Sequence, residues 1–355
     1  MKAGWKIIPM GQLCSISSGE SDTQDAVEDG QYAFFDRSKT IKRSSRFLYD
    51  CEALIIPGEG KEFLPRHFKG KFDLHQRAYA LFDFNLELDV RFLYYLLHHR
   101  SDYLPSVAVG ATVKSLRRRH FEELPVPLPP LAEQKRIVAL LDEAFASIDE
   151  AKAKAEASLH NTLNIFESYL ADVFNNRGED WVEQPFEGCI DEVKYTTKIQ
   201  RKDFRDQGRF PIISQEAEFI NGYWDNDDDV FHVTMPVVIF GDHSKVLKYI
   251  DFNFVLGADG VKILQPKPVF LAKFFFYQIR NIHLKSLGYA RHYRLLKEEQ
   301  LTRPSLTEQH AIATRLDALS VETKLLTQLY GRKIEAQEEL KKSLLTQAFA
   351  GELTA

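Results

Sequence analysis

The chain has 355 residues, 44% hydrophobic and 27% charged, which is an ordinary balance for a globular protein long enough to hold two or more cores. No run approaches the ~18 apolar residues of a membrane helix, and Met1 to Pro9 lacks the apolar region of a secretory signal, so a cytoplasmic protein without membrane contact is expected. The dispersed Cys14, Cys51 and Cys189 form neither a zinc pattern nor a disulfide framework and read as small buried hydrophobes.

The net charge of −5 is unevenly placed. Residues 1–130 carry 18 Lys/Arg against 17 Asp/Glu, whereas residues 131–180 carry 5 against 10. Outside that acidic stretch the chain is near neutral, with basic runs at Lys39–Arg46, Arg66–Lys71 and Lys114–Arg119. Phosphate binding needs a local positive surface rather than a positive total, so nucleic acid stays open as a partner.

In chain order, residues 5–130 read as mixed β and α. Phe47–Pro57 is a strand with an internal turn, Gln76–Phe84 another strand, and Val90–His99 a helix by its apolar spacing and basic end. Four prolines in Leu124–Pro130 give an extended link ahead of a helix start. A helical arm then runs from about Leu131 to Asn175. Its seam is Ile137, Leu141, Ala144, Ile148, Ala155, Leu159, Leu163, Phe166, Leu170 and Val173. At about 1.5 Å per residue it spans roughly 65 Å and cannot bury such a stripe alone. Residues 181–300 repeat the mixed pattern, with strands at Val230–Phe240, Val246–Leu256 and Val261–Leu264 and a helix at Val269–Ile282. A second arm, about Leu306 to Phe349, has Ile312, Leu316, Leu319, Leu326, Ile334, Leu340, Leu344 and Ala348. Ser305 and Glu308 suit a capping box at its start, and Gly331 marks a candidate kink.

The two arms are copies. Leu131-Ala132-Glu133-Gln134 recurs 175 positions later as Leu306-Thr307-Glu308-Gln309, Asp142 recurs as Asp317, and Phe174 as Phe349. The domains in front of them also open alike, Trp5 and Pro9 against Trp181 and Pro185. The expected architecture is α+β with an internal repeat: a globular domain in 1–130, an arm in 131–178, a globular domain in 179–304 and an arm in 305–355, with the arms packed on each other as a coiled coil.

Motifs for chemistry are missing. Gly58-Glu59-Gly60-Lys61 is too short for a P-loop, and there is no nucleophile elbow, zinc helix or amino-methyltransferase motif. The carboxylates of Asp225–Asp229 lack the glycine and closing glutamate of a calcium loop and read as a solvated turn, so no metal site is expected. Arg291-His292-Tyr293-Arg294 has residue types of tyrosine recombinases without the rest of that site. What remains suits a reader of DNA, in which Arg and Lys meet phosphates and base edges and hydroxyls add short contacts. The candidates are Arg37, Ser38, Lys39, Lys42, Arg43, Lys61, Lys114 and Arg117 in the first domain. In the second they are Ser214, Gln215, His243, Ser244, Lys245, Arg291, His292 and Arg294.

Leu-Pro-x-Pro-Leu-Pro-Pro-Leu-x-Glu-Gln-x-x-Ile at Leu124–Ile137, followed by a long helix, resembles the specificity subunits of type I restriction-modification systems, the HsdS family. The weaker copy from Pro304 to Leu353 and the order of domains extend the resemblance over the whole chain, although Thr302-Arg303-Pro304-Ser305 replaces the proline-rich link. Gly222-Tyr223 resembles a turn of the family's recognition domains and adds Tyr223 to the DNA candidates. The resemblance implies a non-catalytic subunit whose two target-recognition domains read the halves of a bipartite, non-palindromic double-stranded DNA target. Its two helices would pack as an antiparallel coiled coil with pseudo-twofold symmetry, set the spacer and dock two DNA methyltransferase subunits, with Glu133, Gln134, Arg136, Glu308 and Gln309 as docking candidates. Restriction and motor subunits would join, and S-adenosylmethionine, ATP and magnesium would belong to these partners, with no cofactor in this chain. Two other classes share the pattern: a coiled-coil scaffold whose domains bind proteins, and an enzyme acting on DNA. Salt-sensitive duplex binding separates the reader from the scaffold.

Overall fold

Residues 4–286, 288 and 290–353 are described by the structure, a computed structural model. The chain forms two units, Met1–Glu156 with Arg332–Ala355, and Ala157–Gly331.

The first unit contains β1 (Lys6–Pro9), β2 (Ser15–Ser18), β3 (Tyr32–Phe35), β4 (Lys42–Ser44), β5 (Tyr49–Pro57), β6 (Glu59–Gly60), β7 (Arg66–Leu74) and β8 (Ala78–Phe82). These are followed by α1 (Val90–His99), α2 (Tyr103–Val107), β9 (Lys114–Ser115), α3 (Arg118–Glu122), β10 (Pro125–Leu128) and the start of α4 (Leu131–Asn175). Six strands form one sheet in the order β2-β8-β5-β7-β3-β4, with β3 parallel to β7 and the other neighbours antiparallel. Helix α1 has the bounds its apolar spacing predicts, and the Asp89 carboxylate caps it by accepting from the Phe92 amide. The strand predicted over Phe47–Pro57 has no internal turn: β5 runs unbroken from Tyr49, because its second half is wholly buried and paired on both sides.

The second unit holds the rest of α4, then β11 (Val182–Pro185), α5 (Phe186–Cys189), β12 (Ile190–Asp191), β13 (Lys198–Ile199), β14 (Phe210–Ile213), β15 (Gly222–Trp224) and β16 (Val230–Phe231). After these come β17 (Val237–Gly241), β18 (Leu247–Ile250), β19 (Phe254–Gly257), β20 (Val261–Pro266), α6 (Ala272–Asn281), α7 (Tyr293–Leu296), β21 (Gln300–Arg303) and the first part of α8 (Leu306–Ala350). The connectivity repeats that of the first unit, but the sheet is split, β12-β20-β17-β18 and β13-β19-β14-β15 with β16 on β19. Two predicted strands are each broken in two. Pro236 has no amide to give the ladder and separates β16 from β17; a turn in which Asn253 Oδ1 accepts from the Val233 amide separates β18 from β19.

Each unit is closed by a two-stranded antiparallel ribbon, β1 with β10 and β11 with β21. Next to each ribbon, three aromatic rings join the globular part to a helix. In the first unit Phe92 of α1 meets Trp5 at 6.3 Å and Phe349 of α8 at 5.3 Å. In the second, Phe274 of α6 meets Trp181 at 5.8 Å and Phe174 of α4 at 5.4 Å. The repeated Phe174 and Phe349 therefore do the same work in different units.

Within the first unit α4 and α8 pack antiparallel, with ion pairs Lys152–Glu338 and Lys341–Asp149 across the seam and Ile137, Leu141, Leu345 and Ala348 in one core. In the second, Phe166, Leu170, Ala313 and Leu316 share a core. The predicted seam needs two corrections. Leu163 and Leu340 are exposed, and Thr162 and Gln337 are buried in their stead. Thr162 is accommodated because its hydroxyl donates to Ser158 O one turn back, at 2.8 Å. Gly331 lies inside the continuous helix α8.

The repeat also duplicates a tyrosine–aspartate contact. Tyr277 of α6 donates to Asp317 Oδ1 at 2.5 Å, with Lys273 Nζ at 3.4 Å. In the first unit Tyr95 donates to Asp142, which also receives Arg91. Burial and then the carboxylate raise the Tyr95 hydroxyl to about 12, and the same two causes raise Tyr277. Tyr277→Phe keeps the ring but leaves the partly exposed Asp317 without its phenol, so a loss of about 1–2 kcal/mol is expected in urea unfolding. An unchanged midpoint would show the contact to be incidental.

Candidate nucleic-acid interface

In the second unit three loops meet at one end of the sheets. The β17–β18 hairpin (Gly241–Val246) turns through Lys245 at φ +60° and lies against the segment that begins β20 and the approach to α7. The Asp242 amide donates to Gly260 O at 2.7 Å, and Asp242 O receives the His292 amide at 2.8 Å. The loop after β14 joins them. Gln215 Oε1 accepts from the His243 amide at 3.2 Å, and its carbonyl accepts from Ser244 Oγ at 2.6 Å. Gly260, at φ +76°, permits this approach: a Cβ there would lie 2.7 Å from Gln215 Oε1. Beside the cluster stand Lys198, Lys262 and the exposed Arg291. Burial lowers the Lys198 pKa, and Lys262 and Arg291 add repulsion that Asp259 and Asp242 offset only in part. Three cations held together against their own repulsion make a local positive surface suited to phosphate.

The first unit builds the same cluster from different side chains. The Gly58 amide donates to Arg77 O at 2.8 Å, and Gly58 O receives the Leu116 amide at 2.7 Å, matching Asp242 with Gly260 and His292. Arg37, in the place of Gln215, reaches Glu59 at 2.8 Å, and Arg77 reaches the other oxygen of Glu59 at 2.8 Å. Short strands β6 and β9 set Gly60 opposite Lys114, and Lys61, Lys114 and Arg117 are exposed around the loop. Arg37, Lys39, Lys61 and Arg66 line a concavity of about 530 Å³ with Glu59 and Glu62.

The predicted residues divide accordingly. Arg37, Lys39, Lys61, Lys114 and Arg117 gather in the first unit, as do Gln215, His243, Ser244 and Arg291 in the second; Arg294 is exposed on α7. Several others serve the fold. Ser38 turns its own loop by bonding Asp36 Oδ1 and Thr40 O, and Lys42 pairs with the buried Asp36 at 2.6 Å. Burial opposes ionisation of Asp36, but Lys42 and the Ser38 hydrogen bonds outweigh it and hold the carboxyl below its usual range. Arg43 donates to Gly30 O and Gln31 O, Lys245 to Leu284 O, and Tyr223 sits in β15 opposite Pro211, outside the cluster. Ser214 and His292, expected to face DNA, are both about 1% exposed and hold the loops from beneath. Of the acidic run, Asp225 and Asp227 pair with Arg205 and Arg209, and Asp229 receives the Trp224 indole.

The largest correction concerns the arms. Gln134 and Gln309, expected on an outward docking face, are completely buried. Gln134 Oε1 accepts from the Asp89 amide, and its Nε2 donates to Glu87 O and Pro129 O, all at 2.8 Å. Gln309 makes the same three bonds, to the Leu271 amide, Val269 O and Pro304 O. Each thus ties a helix start to the globular part beside it. Glu308 accepts from the Trp181 indole at 3.2 Å, and its own amide donates to Ser305 Oγ at 3.3 Å, the serine half of the predicted box. Glu133 is half-buried and Arg136 exposed. Sequence reasoning missed Lys198, Lys262, Arg77 and Lys248, which lie singly in or next to strands and stand out only once the topology gathers them, and it met Arg66 only as the head of a basic run.

Residues 2–159 match the family model described as "Type I restriction modification DNA specificity domain". The EcoDI type I restriction enzyme specificity subunit of Escherichia coli is 30% identical over 152 residues, 43% of this chain and 34% of that protein, so the chain matches about a third of that relative's length. A putative type I specificity subunit of Mycoplasma pneumoniae is 23% identical over 86% of this chain and 87% of its own. The MjaVIII specificity subunit of Methanocaldococcus jannaschii is 21% identical over 98% and 93%. A solved chain from work on complex assembly and conformational transition of the type I R-M system has a TM-score of 0.74 at 15% identity, covering 99% of both chains. The HsdS subunit from Thermoanaerobacter tengcongensis has a TM-score of 0.55 at 15% identity, covering 99% and 98%, and these two likenesses speak for the fold. The first 159 residues thus match the type I specificity domain, and the chain as a whole is similar in sequence to type I specificity subunits and in fold to solved chains of that system.

Proposed function

We propose that this chain is the DNA-reading subunit of a type I restriction-modification complex. Each unit reads one half of a bipartite double-stranded target, and catalysis lies in partner subunits. The observation that carries this reading is the loop cluster built twice on one topology with different side chains: Arg37, Glu59 and Arg77 in one unit, Gln215, His243 and Gly260 in the other. Different donors and acceptors at equivalent places favour two different half-sites and hence a non-palindromic target.

In this reading α4 and α8 set the unread spacer and dock two DNA adenine methyltransferase subunits. Support comes from apolar side chains left exposed on the helices, Leu163 and Ile165 on α4 and Val321, Leu325 and Leu329 on α8. Glu133 and Arg136 remain candidates for that contact. Restriction and motor subunits complete the complex, and S-adenosylmethionine, ATP and magnesium are bound by the partners.

The test is single-molecule methylation sequencing of DNA from cells that hold a cognate methyltransferase, with and without this chain. A bipartite methyladenine motif that disappears without the chain is expected. If no motif depends on it, and the chain also fails to bind duplex DNA in a salt-sensitive way, a protein scaffold is the better description.

A further inference from the structure

Two basic residues occupy matching places beside the candidate reading loops, Lys248 buried and Arg66 half-buried. Lys248, the second residue of β18, is 3% exposed. Its ammonium donates to Glu218 O and to Asn221 Oδ1, the latter at 2.9 Å. Asn221 Oδ1 also accepts from the Ser214 amide at 2.8 Å, and Asn221 Nδ2 donates to Glu218 O at 3.1 Å. One buried cation thus holds the middle and the end of the β14–β15 loop, residues 214–221, and through Asn221 its start, from which Gln215 enters the cluster. In the first unit Arg66 opens β7, the strand that follows the equivalent hairpin, and donates to Ser38 O in the β3–β4 loop that carries Arg37. Arg66 Nη1 is buried with no hydrogen-bond partner among the described residues, which leaves the guanidinium held by the loop rather than by solvent.

Both groups are kept charged at a cost. Burial lowers Lys248 to about 8 against the opposing pull of Glu216 and Glu218, and burial lowers Arg66 against Asp36. An apolar residue would fill the space more cheaply if space were all that mattered. The repetition argues the same way. Unrelated side chains, a lysine and an arginine, arrive from corresponding strands at the carbonyls of corresponding loops.

We propose that Lys248 and Arg66 are positioning residues that fix the shape of the 214–221 and 36–41 loops, each setting the base preference of its own half-site without touching DNA. The proposal rests on the DNA-reading function above. A basic residue near a DNA-reading loop can instead be a phosphate contact, and the two roles differ in what they control. A phosphate contact strengthens binding to every sequence and adds about one to the salt slope. A loop brace alters which base pairs are accepted and leaves the salt slope alone.

The experiment uses the full chain with its methyltransferase. Lys248→Met and Lys248→Gln are compared with Arg66→Met by methylation sequencing and by duplex binding at several salt concentrations. The Lys248 variants are expected to lose about tenfold or more of the discrimination at one or more base pairs of one half-site, the other half-site and the salt slope being unchanged. Arg66→Met is expected to do this to the opposite half-site, and Arg66→Lys, which keeps a donor, to restore most of it. Faster hydrogen exchange confined to the loop amides is expected in each. An unchanged motif in the folded variants, or a uniform loss of affinity with a smaller salt slope, would overturn the proposal. If Lys248→Met does not fold, Lys248→Gln and the independent Arg66 pair decide it. An untouched chain that gives no motif and no salt-sensitive binding overturns the DNA reading itself, a failure visible in the parent and not only in the variants.

Discussion

Lys262→Glu combined with Arg291→Glu is expected to weaken duplex binding roughly a hundredfold near physiological salt and to lower the salt slope by about two. Both cations stand beside Lys198, and their mutual repulsion contributes to its lowered pKa. Reversing them replaces two attractions to phosphate with two repulsions, at contact distances shorter than the roughly 8 Å beyond which salt screens such charges. The fold should tolerate the change. Lys262 Nζ lies 5.3 Å from the Tyr293 ring centroid, and losing that contact costs about 0.5–1 kcal/mol, while Lys198 is relieved of two like charges. The readout is fluorescence anisotropy across a salt series, with thermal unfolding as the control for folding. Binding equal to that of the parent, in a variant that unfolds at the parent's temperature, would remove this face of the second unit from the DNA interface.

Gln134→Ala is expected to destabilise the first unit by about 3 kcal/mol, and Gln309→Ala the second by a similar amount. Each substitution deletes three hydrogen bonds at a site with no exposed surface, leaving one amide and two carbonyls unsatisfied. For units of this size the loss corresponds to a fall of roughly 6–12 °C in Tm. Gln134→Glu, nearly the same shape, separates chemistry from volume. Its carboxylate offers no donor to Glu87 O or Pro129 O and places negative charge against both, so it should be at least as damaging as alanine. Hydrogen exchange at the Asp89 amide gives a local measure, and protection there unchanged in Gln134→Ala would show the clamp to be dispensable.

The glutamine clamp also shows what the sequence could and could not reveal. The apolar spacing of residues 90–99 and 131–175 was enough to place α1 and α4, since long periodic patterns report which face a helix buries. The same spacing already placed Gln134 on the buried stripe, three residues before Ile137 and seven before Leu141. Its polarity argued for the outside, and only a set of three buried backbone groups converging on one point makes the inside favourable. Thr162 entered the seam in place of Leu163 because its hydroxyl is satisfied within the helix, whereas Gln337 is buried in place of Leu340 by the path of the helix, not by a hydrogen bond of its Oε1. The reading site was the least legible part. Gln215, His243, Gly260 and Arg291 come from four separated segments, and strand pairing alone brings them together. Arg66 and Lys248 bear no mark of their place in the sequence, because nothing in their immediate neighbours announces a loop folded over them.

The ribbons β1–β10 and β11–β21 put the entry and exit of each globular part side by side, Lys6 opposite Leu128 and Val182 opposite Arg303. A globular part attached through two adjacent strands can be cut out at its neck and replaced without lengthening or shortening the helix that follows. Once a replacement supplies the carbonyls and amide that the clamp glutamine receives, the helix begins as before. If each globular part reads one half-site, as proposed above, a new half-site could be acquired by exchanging a whole domain in one recombination event, instead of passing through a series of half-working intermediates.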